Sequence, residues 1–285
     1  MRKITLIVLM LFSALSYAQT IELNGTVSAQ NHQIKNVSDP TEVQDAVTKA
    51  YIDALIANLE SRIYDLEHPL TDVDGNSYDF ITYGTQTWTV SNAAMETYRD
   101  GTVIPQVTVA TDWAALTTGA WCYYYNDETK GKLYNWYAVM GIHDNEDSTA
   151  NKEFAPEGWH VPSDAKWTTL EEYLITSGYN YDNTTTDNKI AKAMVSTTGW
   201  YSSANDGAIG NDQSLNNSSD FNVFPEGICV DNGSFFNGGL SAYFWSSTEN
   251  NTYDALSRSL GYSNRHLDGG SGNKLNGFSV RFVRD

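Results

Sequence analysis

Cysteine, basic residues and long apolar runs are all scarce in this chain of 285 residues, and each scarcity removes a class of function. Only two cysteines occur, Cys122 and Cys229, and neither stands beside a histidine or in a Cys-x-x-Cys pair. A catalytic thiol and a zinc site are therefore disfavoured; two cysteines allow one disulfide, and Cys122 and Cys229 are its candidates. Lysine and arginine number 17 against 35 aspartates and glutamates, a formal charge of -18. So acidic a surface repels nucleic acid and anionic membranes, which are bound through basic patches. Its plain role is solubility outside the cell. Only Ile4–Leu15 forms a long apolar run, and it is short for a membrane span. Known chemical motifs are missing too. Asp72-Val-Asp-Gly75 opens like a calcium loop but lacks the later ligands and reads as a turn. No Gly-x-Ser-x-Gly elbow surrounds Ser246-Ser247. Glu171 and Glu172 are adjacent on a helix and point apart, so they do not form an acid pair. His160 has no second ligand at a metal spacing and reads as a structural histidine.

What is present divides the chain. Arg2, Lys3, the apolar run and Ser16-Tyr-Ala18 read as a signal peptide over residues 1–18, which implies export. Residues 19–39 alternate weakly and predict one or two short strands. Asp39-Pro40 with Glu42 announces a helix over 40–68, ended by His68-Pro69. On it Ile52, Ile56, Leu59, Ile63 and Leu66 recur every four and three residues, a heptad seam for self-association. After Leu70 the texture changes, and all eight tryptophans follow. Asp74-Gly75 and Gly84-Thr85 are turn signals between alternating runs. Ser163 caps a helix carrying Trp167, Leu170 and Leu174 on one face, and a shorter helix is expected over Lys189–Val195. Phe244-Trp-Ser-Ser reads as one strand and Gly277–Val283 as the last.

Six phrases carry a resemblance. They are Asp72-Val-Asp-Gly-Asn76, Gln86-Thr-Trp88, Leu133-Tyr-Asn-Trp-Tyr137, Gly158-Trp-His-Val-Pro-Ser-Asp164, Phe244-Trp-Ser-Ser-Thr-Glu249 and Gly277-Phe-Ser-Val-Arg281. In that order, over residues 69–285, they resemble the Fibrobacter succinogenes major paralogous domain, a family of secreted bacterial modules. The resemblance implies an α+β, C-type-lectin-like domain with two helices and loop-rich antiparallel sheets, its first and last strands paired. The family often has a cysteine where Ala155 stands and another where Phe282 stands; the joint absence fits loss of a mutual bridge. The segment Gln33–Tyr51 resembles trimeric phage tail fibres, implying a parallel trimeric coiled-coil stalk, although Ile at a with Leu at d also suits a dimer.

Lectin-like relatives vary most in the region corresponding to Asn250–Asn273, which here is rich in Asn, Ser and Tyr, residues favoured by adaptable binding surfaces. Asn250, Asn251, Tyr253, Asp254, Ser257, Tyr262, Asn264, Arg265 and His266 are the candidate ligand-binding residues. An ordinary polar surface loop is the alternative. The motifs of calcium-dependent sugar binding are lacking, so no cofactor is expected. The functional expectation is a non-enzymatic, exported surface or fibre-tip protein, a homo-oligomer that adheres to a glycan or protein ligand. A structural appendage subunit is the first alternative. A formylglycine-generating-type enzyme is the second, made less attractive by the lack of cysteines after Cys229.

Overall fold

The computed structural model describes residues 48–67, 69–143 and 152–285. The expected signal peptide, the strand segment 19–39 and the helix start at Asp39–Glu42 lie outside the described residues. The chain divides between Tyr64 and Asp65 into two units. Helix α1, Lys49–Glu67, is the described element of the N-terminal part. Thr48 is not helical, and its hydroxyl accepts the Tyr51 amide at 3.0 Å, capping α1 at its first turn. Along α1, Ile52, Ile56, Leu59 and Ile63 are 38–53% exposed, an apolar stripe left in solvent.

The rest of the chain is mixed α/β, with few helices and small antiparallel sheets. β1 (Leu70–Thr71) and β2 (Ser77–Tyr78) form a hairpin. Its turn is organised by Asp72, whose carboxylate accepts the Asp74 and Asn76 amides and, at 2.6 Å, the Tyr78 hydroxyl. The turn read from the sequence is therefore held by side-chain acceptors. β3 (Phe80–Tyr83) and β4 (Gln86–Thr89) pair around Gly84-Thr85. The final strand, β12 (Val283–Arg284), joins them in the order β12-β4-β3. Among the described residues its ladder partner is β4, while β1 pairs with β2.

Between these lie α2 (Ala110–Ala114), β5 (Trp121–Tyr123), β6 (Lys132–Tyr134), α3 (Trp136–Val139), α4 (Asp164–Thr176) and α5 (Ala191–Met194). Ser163 caps α4 through the Lys166 amide, and Trp167, Leu170 and Leu174 are buried, as their spacing predicts. The shorter helix occupies only four residues of its expected range. β7 (Ile228–Cys229) pairs with β8 (Phe235–Phe236), while β9 (Ser241–Glu249), β10 (Asp254–Gly261) and β11 (Asp268–Asn273) form a sheet in the order β11-β10-β9. Ser246 is buried in β9 and its hydroxyl accepts the Thr248 amide at 2.9 Å, a backbone-satisfying role.

The core is aromatic. Trp88, Trp167, Phe221 and Phe244 pack between the β12-β4-β3 sheet, α4 and β9, with Trp88 and Trp167 rings 4.7 Å apart. Trp121, Tyr134, Trp136, Phe154, Trp245, Phe278 and Phe282 fill a second cluster. Ala155 and Phe282 share it, so the two positions that often carry family cysteines are occupied by packed apolar side chains. The indole N–H groups of Trp113, Trp121, Trp136 and Trp245 each donate to a backbone carbonyl at 2.8–3.0 Å, so these large rings bury without an orphaned donor.

Gly277–Arg284 is not one continuous strand. It touches five segments: Gly277 with Cys229, Phe278 with Tyr134, Ser279 with Phe244, and Val283 with both Trp88 and His160. His160 thus has a structural role through its backbone, which exchanges hydrogen bonds with Val283, while its residue is exposed. Arg281, 1% exposed, donates to Asn92 Oδ1, Thr89 O and Asn222 O at 2.8, 2.9 and 3.3 Å. Its guanidinium lies over Phe221 at 4.9 Å. No carboxylate stands within ion-pair distance of it among the described residues, and desolvation lowers its pKa to about 9. Replacing it strands three acceptors and opens a cavity. Arg281→Ala is expected to lower unfolding free energy by about 3 kcal/mol or more in a urea titration, with no change in oligomeric mass.

Candidate ligand-binding surface

The nine candidate binding residues do not form one surface. Asn250, Asn251, Tyr253 and Asp254 occupy the β9–β10 turn, where Asn251 Oδ1 accepts the Tyr253 and Asp254 amides at 2.8 and 3.0 Å. Tyr253 is 75% exposed there. Tyr262, Asn264, Arg265 and His266 lie at the other end of β10, about 20 Å away along the strand. Ser257 sits mid-strand and is buried. The stretch expected as one polar ribbon is thus two strands and two separate turns. The reason is the β9–β10–β11 ladder, which buries Ala255, Ser257 and Leu260 against the core.

The second turn makes a recess. Asn264, Arg265 and His266 line a cavity of about 210 Å³ with Asn205 and Asp206. Arg265 Nη1 donates to the Tyr181 hydroxyl, which in turn faces Asp206, each at 3.4 Å. Tyr181 and Asp206 also line an adjoining recess of about 520 Å³ with Lys192.

A different surface stands on the β5–β6 and β7–β8 hairpins. After β5 the chain runs Tyr123-Tyr124-Tyr125-Asn126. Tyr124 turns inward: its hydroxyl accepts the Gly238 amide at 3.0 Å, and a Cβ on Gly227 (φ 72°) would lie 2.6 Å from its ring. Only glycine admits that approach. Tyr125 is then driven outward, 66% exposed, in a left-handed conformation at φ 51°. Such a backbone is rare for an aromatic residue and clusters at functional sites. Its ring is held 5.1 Å from Phe235, which also contacts Tyr124 at 5.5 Å, and the neighbouring Phe236 is 54% exposed. Sequence reasoning passed over these residues. A signal was present, because three successive tyrosines, or Phe235-Phe236, cannot all face one side of a strand.

The same hairpin walls a groove. A cavity of about 520 Å³ is lined by Asn92, Tyr123, Lys130, Phe224, Glu226 and Arg281 among others, and Lys130, Phe224 and Glu226 also line a second recess of about 420 Å³. Glu226 reaches across and accepts the Gly131 amide. Amides, charges of both signs and two aromatic faces converge here, as in sites that hold polar ligands. Among the described residues, no group of three or more His, Cys, Asp or Glu is placed to hold a metal ion, and no helix is long and apolar enough to cross a membrane.

Beneath the aromatic residues, Cys122 and Cys229 are buried in one cluster with Trp113, Ala120 and Leu133. The hydrogen bond between the two thiols, reinforced by burial, holds the Cys122 thiol far above the usual range. Burial also raises the Glu226 carboxyl above its ordinary 4.5. The folded chain then binds that proton more tightly than the unfolded chain, so stability falls as pH rises past 4.5. Glu226→Gln is expected to raise the urea midpoint at pH ~7 and leave it nearly unchanged at pH ~4. A lower midpoint at neutral pH would mean that ionised Glu226 stabilises the fold.

The profile of the Fibrobacter succinogenes major domain matches residues 81–284, the larger part of the chain and all of the surfaces just described. Neither a curated protein nor a solved structure matches it. By that match the chain is a member of the Fibrobacter succinogenes major domain family.

Proposed function

We propose that this is an exported attachment protein whose head binds a glycan through an aromatic platform, Tyr125 backed by Phe235, together with the exposed Phe236 and the groove walled by the β5–β6 hairpin. The observation that carries the reading is Tyr125. Its ring stands 66% exposed on a backbone conformation rare for an aromatic residue, held beside Tyr124 and Phe235. Exposed aromatic faces pack against the apolar faces of sugar rings, and the amides and carboxylates of the groove suit ring hydroxyls. Binding of this kind needs no cofactor. The recess at Asn264, Arg265 and His266 and the turn at Tyr253 are further contact surfaces for a long polymer.

The finer fold assignment belongs to the same reading: a C-type-lectin-like head, supported by the order of the six phrases, the α4 helix after Gly158-Trp-His-Val-Pro and the short sheets. The exposed stripe Ile52, Ile56, Leu59 and Ile63, with Leu66 on the same helix, supports a self-associating stalk, favoured as a trimer. Gathering weak sites on one rod raises avidity without improving any single contact. Turnover of the formylglycine type is disfavoured, since both thiols are buried and the Cys122 thiol is far from its reactive thiolate form.

Two outcomes test this. On an array of bacterial and plant polysaccharides, Tyr125→Ala and Phe236→Ala should each weaken retention of the full chain by about 10-fold at unchanged thermal midpoint. No retention by the native chain, with growth into filaments in light scattering, would favour the structural appendage subunit. In sedimentation, a chain starting at Gln19 should have three times its monomer mass and one starting at Pro69 the monomer mass; equal association states would remove the stalk.

A further inference from the structure

Cys122 and Cys229 lie far apart in the chain and on different hairpins. Three observations bring them together. Cys122 is paired with Leu133 across β5–β6, and Cys229 with Phe235 across β7–β8. Gly277 lies between the two hairpins: it exchanges backbone hydrogen bonds with Cys229 at 3.2 and 2.7 Å, and a Cβ placed on it would stand 3.1 Å from Cys229 Cβ and 3.2 Å from Leu133 Cβ. A side chain there would force the hairpins apart, so Gly277 is what lets them close. Finally, both thiols are buried in one apolar cluster, where Cys229 Sγ lies 3.7 Å from Val230 O.

We propose that Cys122 and Cys229 form a disulfide that ties the β5–β6 hairpin to the β7–β8 hairpin and thereby sets the spacing of the aromatic platform. The cross-link would join the hairpin carrying Tyr124 and Tyr125 directly to the one carrying Phe235 and Phe236. One cysteine thiolate attacks a disulfide oxidant, either oxidised glutathione or a thiol–disulfide exchange protein, and expels one of its thiolates. The second cysteine attacks the resulting mixed disulfide and expels the other. Two protein thiols lose two protons and two electrons, and the oxidant's disulfide becomes two thiols. Folded and reduced, the pair is buried and its Cys122 proton is held tightly, so the bond closes while the hairpins are still open.

The supply of an oxidant rests on the export reading, whereas the bond itself rests on the geometry, and two arms separate them. In the first, the full chain is refolded from denaturant in a mixture of reduced and oxidised glutathione, then denatured and alkylated with iodoacetamide. The expected chain takes no label, is lighter by two hydrogen atoms, and yields one linked peptide pair containing Cys122 and Cys229. Reduction should lower its thermal midpoint by on the order of 10 °C, since the bond closes a loop of about 100 residues. It should also speed amide hydrogen exchange at Tyr123–Tyr125 and Gly227–Cys229. Cys229→Ala should leave Cys122 labelled and the midpoint insensitive to reductant. Two labelled cysteines in the folded native chain, or linkage only between chains, would overturn the proposal. In the second arm the chain is exported by a bacterium through its own first residues. The bond should be present; thiols free there but bonded in the first arm would overturn export and leave the bond standing.

Discussion

The head depends on one extended segment, Gly277–Arg284, threaded through its middle. Its backbone groups meet several distant parts of the chain: Cys229, Tyr134, Tyr243, Trp245, Ala93, Thr89 and His160 all hydrogen-bond to it. The small sheets of this protein are too short to be stable separately, and a two-stranded hairpin is marginal in water. The terminal segment ties four of the five described sheets together by supplying a backbone partner to each of the four. Its side chains do the same: Phe278 stacks on Trp245 at 4.2 Å, Phe282 packs in the same cluster, and Arg281 joins the aromatic rings to Asn92, Thr89 and Asn222.

That construction explains why function sits at the periphery. Backbone partners and tryptophan rings are consumed inside, and the hairpins that remain are anchored only at their bases. β5–β6 and β7–β8 are anchored by Leu133, Gly277 and the two cysteines, and they end in exposed rings. Glycines at 227 and 238 make room for Tyr124, and the seating of Tyr124 decides where Tyr125 points. A second anchor ties the outer sheet to the helix: Arg258 of β10 pairs with Asp164 in the first turn of α4, and donates to Thr168 Oγ1 at 3.3 Å. With Arg258 only 6% exposed, β10 is fixed along its length, and its two terminal turns face different neighbourhoods.

Much of this was legible in the residues. Ser163 before Trp167, Leu170 and Leu174 specified α4, because capping and a 3.6-residue apolar period are local properties. Asp72–Asn76 and Gly84-Thr85 specified their turns for the same reason. The region Asn250–Asn273 was not legible. Asp268-Gly-Gly-Ser-Gly-Asn273 has the composition of a loop, yet it is β11, because β10 offers it a ladder and Gly272 fits against the Phe278 ring, 2.9 Å from where a Cβ would be. Strand formation there is a non-local contact that outweighs local preference.

By itself, then, the chain's sequence determined the family, the turns, the principal helix and the apolar stripe of α1, since each is written in residues adjacent or one turn apart. Tertiary structure alone decided which polar turns share a surface, that Tyr125 faces solvent, and that Cys122 meets Cys229. Those outcomes depend on how hairpins distant in sequence close around Gly277–Arg284, and no local spacing records the distance between two hairpins.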